Sequence, residues 1–253
     1  MSSPALTQWT VLGGRSLRLG RRNVEALLMS IMLPVLLMVV FVYLFGGAIQ
    51  TGTEYVTYVV PGVMLLCVAF GSAMTAVSVA NDLKEGIVDR LRTLDIGGAA
   101  VLSGHVFASL ARNVVSSALV LGVAFALGFR PHADTGQWFA ALGILLLTIA
   151  AVSWLSAGLG LLAGSPEAAS GYTFVITFLP YASSAFVPID TMPAWLRGFA
   201  GNQPVTPITE SLRGLLLDQP VGGAPWRAVA WCAGIMVVSV IAAALLFRAK
   251  TRT

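Results

Sequence analysis

Long stretches without a single charged residue constrain this chain more than any motif does. No Asp, Glu, Lys or Arg lies between Glu25 and Glu54, between Glu54 and Asp82, between Asp134 and Glu167, between Glu167 and Asp190, or between Arg227 and Arg248. Each gap is long enough for a helix of about 20 residues to cross a bilayer. Lipid offers the backbone no hydrogen bonds, so such segments must pair their own amides as helices. The expected class is therefore an all-α polytopic membrane protein.

Of 253 residues, 57% are hydrophobic and 10% charged, against roughly 25% charged in a soluble domain. The length fits one membrane domain without a second globular one. The net charge of +4 would point to nucleic acid in a soluble protein. Here the basic residues cluster at span ends, so topology explains them and no nucleic-acid partner is expected. Cys67 and Cys232 both lie in apolar runs and read as small buried hydrophobes. The N-terminus lacks a short apolar core followed by a small-residue cleavage site, and reads as mature protein.

Six spans are expected, at about 26–48, 56–80, 103–127, 137–163, 169–187 and 228–247. An even number puts both termini on one side. That side carries ten basic residues: Arg15, Arg18, Arg21, Arg22, Lys84, Arg90, Arg92, Arg248, Lys250 and Arg252. The other carries Arg130, Arg197, Arg213 and Arg227, with Arg112 inside the third span. Positive charge marks the cytoplasmic side, so both termini are expected there. Tyr43, Phe45, Tyr55, Tyr58, Trp138, Phe139, Trp226 and Trp231 collect near the expected outer ends, as an interfacial belt does. Residues 1–25 form a cytoplasmic preface to the membrane domain at 26–250. Within them, Leu6, Trp9, Leu12 and Leu19 share one helical face and Arg15, Arg18 and Arg22 the other, the pattern of a helix lying in the interface plane.

Two segments between spans exceed a tight turn. In the inner one, Leu83, Ile87, Leu91 and Leu94 form one stripe of a short helix, with Asp89 and Arg92 spaced to pair on the opposite face. Gly86 weakens an isolated helix by about 1 kcal/mol relative to Ala, which makes sense where another backbone approaches closely. A helix resting on headgroups and a docking element both fit. In the outer segment, Met192, Trp195, Leu196 and Phe199 form an apolar group after Pro193. Asn202-Gln203-Pro204 breaks it. Thr206 is placed to cap a second helix with Pro207 at its first position. There Ile208, Leu212, Leu215 and Leu216 share a face, and Glu210 with Arg213 are spaced to pair. Two helices too short to span predict a re-entrant or interfacial hairpin; an extracellular surface loop is the alternative.

At these two segments the chain resembles the type-2 ABC-transporter permeases. Lys84-Glu85-Gly86-Ile87-Val88-Asp89-Arg90-Leu91 looks like their cytoplasmic coupling motif. Phe186-Val187-Pro188-Ile189-Asp190-Thr191-Met192-Pro193-Ala194-Trp195-Leu196 followed by Asn202-Gln203-Pro204-Val205-Thr206-Pro207 resembles their signature before the last span. Asn81-Asp82 with Gly86-Ile87-Val88-Asp89-Arg90 is most similar to the daunorubicin/doxorubicin-resistance type. One departure is that Thr93-Leu94-Asp95-Ile96-Gly97-Gly98 lacks the proline many members carry after the motif.

The resemblance implies a permease subunit of an exporter in the bacterial cytoplasmic membrane, working as two permease copies with two copies of a separate ATPase. ATP and Mg would then sit on the partner, with no cofactor bound by this chain. Leu83, Ile87 and Leu91 would pack in the ATPase groove while Lys84, Glu85, Asp89 and Arg90 fix register. Pro188, Pro193, Trp195, Asn202, Pro204, Glu210 and Arg213 would belong to the outer hairpin at the exit. The residues agree with a borrowed ATPase. Neither Lys84 nor Lys250 follows a glycine, so a phosphate-cradling Gly-x-x-x-x-Gly-Lys-Ser/Thr loop is absent. No Asp or Glu is central in an expected span, as a proton relay would need.

Arg112 lies about 13 Å into the third span at 1.5 Å per residue. It fits either snorkelling to headgroups or a buried cation paired with a carbonyl or lining a substrate path. His105 reads as interfacial and His132 as an outer-loop residue, and metal binding is not expected. A hydrophobic drug-like molecule is the expected cargo, with surrounding lipids as the other partner. Export of a lipid or lipid-linked glycan is the alternative, and a non-transporting membrane anchor or immunity protein a further one. An intramembrane protease is disfavoured, because no histidine is central in a span and His-Glu-x-x-His is missing.

Overall fold

The computed structural model describes residues 24–49, 53–86 and 98–250. The expected N-terminal interface helix and residues 87–97 of the inner segment, with Ile87, Asp89, Arg90 and Leu91, lie outside them. Among the described residues all regular structure is helical. Helix α1, Val24–Val40, continues through a single π turn, Phe41–Phe45. Then come α2 (Tyr55–Lys84), α3 (Gly98–Ala126), α4 (Thr135–Leu162), α5 (Pro166–Phe178), α6 (Ala194–Asn202), α7 (Val205–Leu216) and α8 (Ala224–Lys250). Four of these, α2, α3, α4 and α8, are long and apolar enough to cross a membrane.

Helix α2 is the central one. In its most apolar window 72% of residues are buried, against 33% in α3, 44% in α4 and 17% in α8. It packs against α1, α3, α4, α5 and α7. Val59, Val60, Val63, Leu66 and Cys67 along it are fully buried. Close approach is made possible by missing side chains. A Cβ on Gly62 would lie 2.7 Å from Ala185 Cβ, and one on Gly160 of α4 would strike the carbonyl oxygen of Ala76. Cys67 and Cys232 are both buried, as small hydrophobes are.

Three expectations need correction. Residues 169–187 are not one continuous helix. Helix α5 ends at Phe178, a 3-10 turn occupies Leu179–Ala182, and irregular chain follows. Pro180 is the reason, since its ring clashes with the preceding turn and it lacks an amide to continue the ladder. Tyr55 and Tyr58 are 4% and 6% exposed, so they are core residues and not part of an aromatic belt. Tyr43, Phe139 and Trp226, by contrast, are all more than 70% exposed. Finally, Leu83 and Lys84 belong to α2 itself. Gly86 terminates it with φ +66°, and a Cβ there meets nothing within 4 Å. The positive φ is itself a reason for glycine at this position.

Replacing Gly160 by Leu should therefore force α2 and α4 apart. Overpacking of this kind costs about 1–3 kcal/mol. A drop in the thermal midpoint of the detergent-solubilised protein, with no such drop for Gly143→Leu at an open position, is the expected result.

Candidate functional site

The two ends of α2 carry the chemistry. At one end it grips the irregular chain after α5. That stretch cannot satisfy its own amides, so its polar groups must find partners elsewhere. They do. Tyr58 donates its hydroxyl to the carbonyl of Ser184 at 2.9 Å, and Tyr55 donates to that of Phe186 at 3.0 Å. The Ser184 amide donates to Thr206 Oγ1 at 3.1 Å, and the Ala185 amide to Ser183 Oγ. Gln203 reaches the carbonyl of Ala182 at 3.3 Å.

Arg213 of α7 closes this cluster. Its guanidinium lies 3.6 Å from the centre of the Tyr58 ring and donates to the carbonyls of Tyr58 (3.1 Å) and Ser184 (2.8 Å). The planar fork suits such convergent acceptors, and the ring face adds a cation–π attraction. The expected Glu210–Arg213 pair is not formed. Glu210 instead faces Arg227 at 3.7 Å, with both side chains well exposed. Thr206 does not cap α7, which starts at Val205 behind Pro204. Its hydroxyl bonds the Ala200 carbonyl, tying α6 to α7.

The other outer residues spread over this hairpin. Pro188 and Pro193 precede short helical turns, and Asn202 bonds back to the Gly198 carbonyl at 2.8 Å. Ile208, Leu212 and Leu216 are buried as their spacing predicts, whereas Trp195 and Phe199 are 80% and 52% exposed.

Along its C-terminal half α2 forms a polar seam with α3. Arg112 donates to the Gly71 carbonyl and to Thr75 Oγ1, each at 3.0 Å. A carbonyl partner is one of the two roles expected of it; its buried Nε has no partner. Asn113 is fully buried and donates to the Ser109 carbonyl at 2.9 Å. Its amide group presses on Gly71, where any side chain would collide. Ser109 and Ser153 hydroxyls meet at 2.8 Å, joining α4 to the seam. At the C-terminal end of α2, His105 Nε2 lies 3.1 Å from Asp82 Oδ2, so His105 does more than sit at an interface. Leu83 packs beside this pair, while Lys84 and Glu85 are exposed.

Sequence reasoning missed this seam, although its signal is present. Gly71, Ser72, Thr75, Ser78 and Asp82 recur at helical spacing on α2, and His105, Ser109, Arg112 and Asn113 on α3. An apolar groove of about 450 Å³ opens between α3 and α4, lined by Val114, Leu121, Trp138, Leu142, Leu145 and Leu212 among others. Arg112 is not part of its lining. Among the described residues no cluster of His, Cys, Asp and Glu is suited to a metal.

A helical membrane protein with a broken, side-chain-paired segment before its last long helix is the class these features define. Residues 7–217 match the family described as ABC-2 type transporter, and the chain belongs to that family of membrane permeases. It is 33% identical over 191 residues to the daunorubicin resistance ABC transporter permease protein DrrB1 of Streptomyces coeruleorubidus, covering 74% of this chain and 66% of that protein. It is 27% identical over 224 residues to the probable doxorubicin resistance ABC transporter permease protein DrrC of Mycobacterium tuberculosis strain CDC 1551, covering 87% and 80%. The family implies a membrane location and an ABC ATPase as partner.

Arg213→Met leaves the Ser184 carbonyl with one donor and strips a cation from the Tyr58 ring. The expected loss of stability is about 1–3 kcal/mol, and about 1 kcal/mol for Tyr58→Phe. Because both donate to the Ser184 carbonyl and only the double variant strips it of both donors, the double variant should lose more than the sum. Unfolding titrations of the four proteins in mixed micelles measure this directly.

Proposed function

We propose that this chain is the transmembrane subunit of an ATP-driven exporter that moves a hydrophobic, drug-like small molecule outward across the bacterial cytoplasmic membrane. The observation that supports the reading most is family membership together with relatives described as daunorubicin and doxorubicin resistance permeases. The apolar groove between α3 and α4 is consistent with a hydrophobic cargo. A lipid is the second reading, because the same lining would accept an acyl chain.

In this proposal α1 with its π turn, α2, α3, α4, α8 and, as the fifth crossing, α5 together with the irregular chain through Val187 make six spans with both termini cytoplasmic, and α6–α7 form a re-entrant hairpin at the exit. Two permease copies work with two copies of the ATPase, which hold ATP and Mg. Leu83, Lys84, Glu85 and Gly86 begin the segment that docks on the ATPase, continued by Ile87, Asp89, Arg90 and Leu91. Closure of the ATPase pair pushes the inner end of α2, and α2 passes the displacement to the hairpin through the contact of Tyr58 with Arg213. Arg112, which lies outside the lining of that groove, belongs to the substrate path only as a fixed cation set behind its wall.

The test is uptake of a fluorescent anthracycline into inside-out vesicles with the candidate ATPase co-expressed, comparing ATP with a non-hydrolysable analogue. ATP-dependent uptake that falls at least about tenfold in Glu85→Ala/Asp89→Ala, with both subunits still in the membrane, is expected. No uptake, but ATPase activity raised by lipids, moves the cargo to lipids. If no ATPase associates in mild detergent, the mechanism fails.

A further inference from the structure

The inner end of the α2–α3 seam is tied by a side-chain hydrogen bond. Asp82 and His105 lie 3.1 Å apart, with side chains 20% and 12% exposed. Ser78, one turn before Asp82, puts its hydroxyl 3.5 Å from the other imidazole nitrogen. Apolar contacts back the pair on either side. Leu83 packs against a cluster that includes Val79 of α2, Leu102 and Val106 of α3, and Leu161 of α4. Beyond it α2 stops at Gly86 and α3 starts at Gly98. Asp82, in the last turn of α2, and His105, two turns into α3, thus flank the segment that the transport reading assigns to ATPase docking.

We infer that Asp82 and His105 are a positioning pair that locks the two ends of that segment together, so that a push on it moves α2 and α3 as one body. The inference rests on the transport reading. Its physical basis is the continuity of the seam. From Asp82–His105 the ties run through Thr75 and Gly71 with Arg112 to Ser72, Asn113, Ser109 and Ser153. Ser72, Ser109, Asn113 and Ser153 are fully buried, so no water replaces a lost partner there and each of those ties resists sliding of one helix along the other. Without the innermost tie the push would be taken up at the helix ends, before reaching the buried part of the seam. Lys84 and Glu85 next along α2 are exposed, and Lys84 interacts electrostatically with Glu167 at the start of α5. They remain free to meet a partner while Asp82 faces inward.

The experiment reconstitutes the permease with its ATPase in proteoliposomes and reads anthracycline moved per ATP hydrolysed. Asp82→Asn and His105→Gln should each keep ATP hydrolysis within about twofold and lower the ratio at least about fivefold. The double variant should be no worse than either single one, and the exchanged pair Asp82→His/His105→Asp should recover at least half of the ratio. A purely packing role would lower the amount of assembled complex and would not be rescued by exchange. An unchanged ratio, multiplying losses or no rescue overturns the inference. A second measurement needs no transport. Amide exchange of residues 78–84 in the permease alone should be about tenfold faster in either single variant, and unchanged exchange overturns the pairing role. Wild-type protein that shows no ATP-dependent uptake defeats the transport reading, while the exchange result still decides whether the pair holds α2.

Discussion

The rest of this structure depends on how one stretch of non-helical backbone survives beside apolar helices. After Pro180 the chain can no longer pair its amides along a helix, and in lipid an unpaired carbonyl costs several kcal/mol. The solution lies outside the segment, in Tyr55, Tyr58, Thr206, Gln203 and Arg213. Three of these belong to α6–α7 or the bend between them, and two to α2. The hairpin is thus held where it is by the hydrogen-bond needs of the segment before it, and α2 is the fixed wall for both.

This gives α2 two attachments of different kind. Its 30 residues make a rod of about 45 Å, longer than the roughly 30 Å hydrocarbon core. One end holds the hairpin through aromatic hydroxyls and a guanidinium. The other ends in a glycine stop one turn past Asp82, at the start of the inner segment. The middle is immobilised by close approach, Gly62 against Ala185 and Gly160 against Ala76. Packed cores shift as bodies and do not deform continuously. A displacement entering at Lys84 therefore has a short physical route to Tyr58, along one helix that four or five neighbours already clamp.

Charge-free runs made the helices legible, because a bilayer forces period and length on any chain that crosses it. Helices α2, α3, α4 and α8 were readable to within a few residues for this reason. The end of the fifth span was not. Its composition stays apolar through Phe186, and only Pro180 among serines marks the break. The outer ties were illegible for a different reason. Arg213 pairs with residues 155 and 29 positions away, whereas sequence spacing offers only its neighbour Glu210. Local spacing finds partners on one helix and is blind to carbonyls exposed by a kink elsewhere. The α2–α3 seam lies between these cases. Its residues show a helical stripe on each strand of sequence, but nothing in either stripe says that they face each other.

Arg112 and Arg213 share a solution that clarifies why so few acids are needed. Neither contacts a carboxylate in its cluster, and each donates to a carbonyl of α2, at Gly71 and at Tyr58. A helix carbonyl keeps a second lone pair after its ladder bond, so it accepts a guanidinium without losing secondary structure. Burying a carboxylate as counter-ion would add its own desolvation, which often exceeds the Coulombic gain. Carbonyl dipoles avoid that cost and leave net positive charge at two depths along one helix. Among the described residues the two buried guanidiniums thus join α3 and α7 to α2 through backbone dipoles, and the helices are held by polar contacts that need no buried counter-ion.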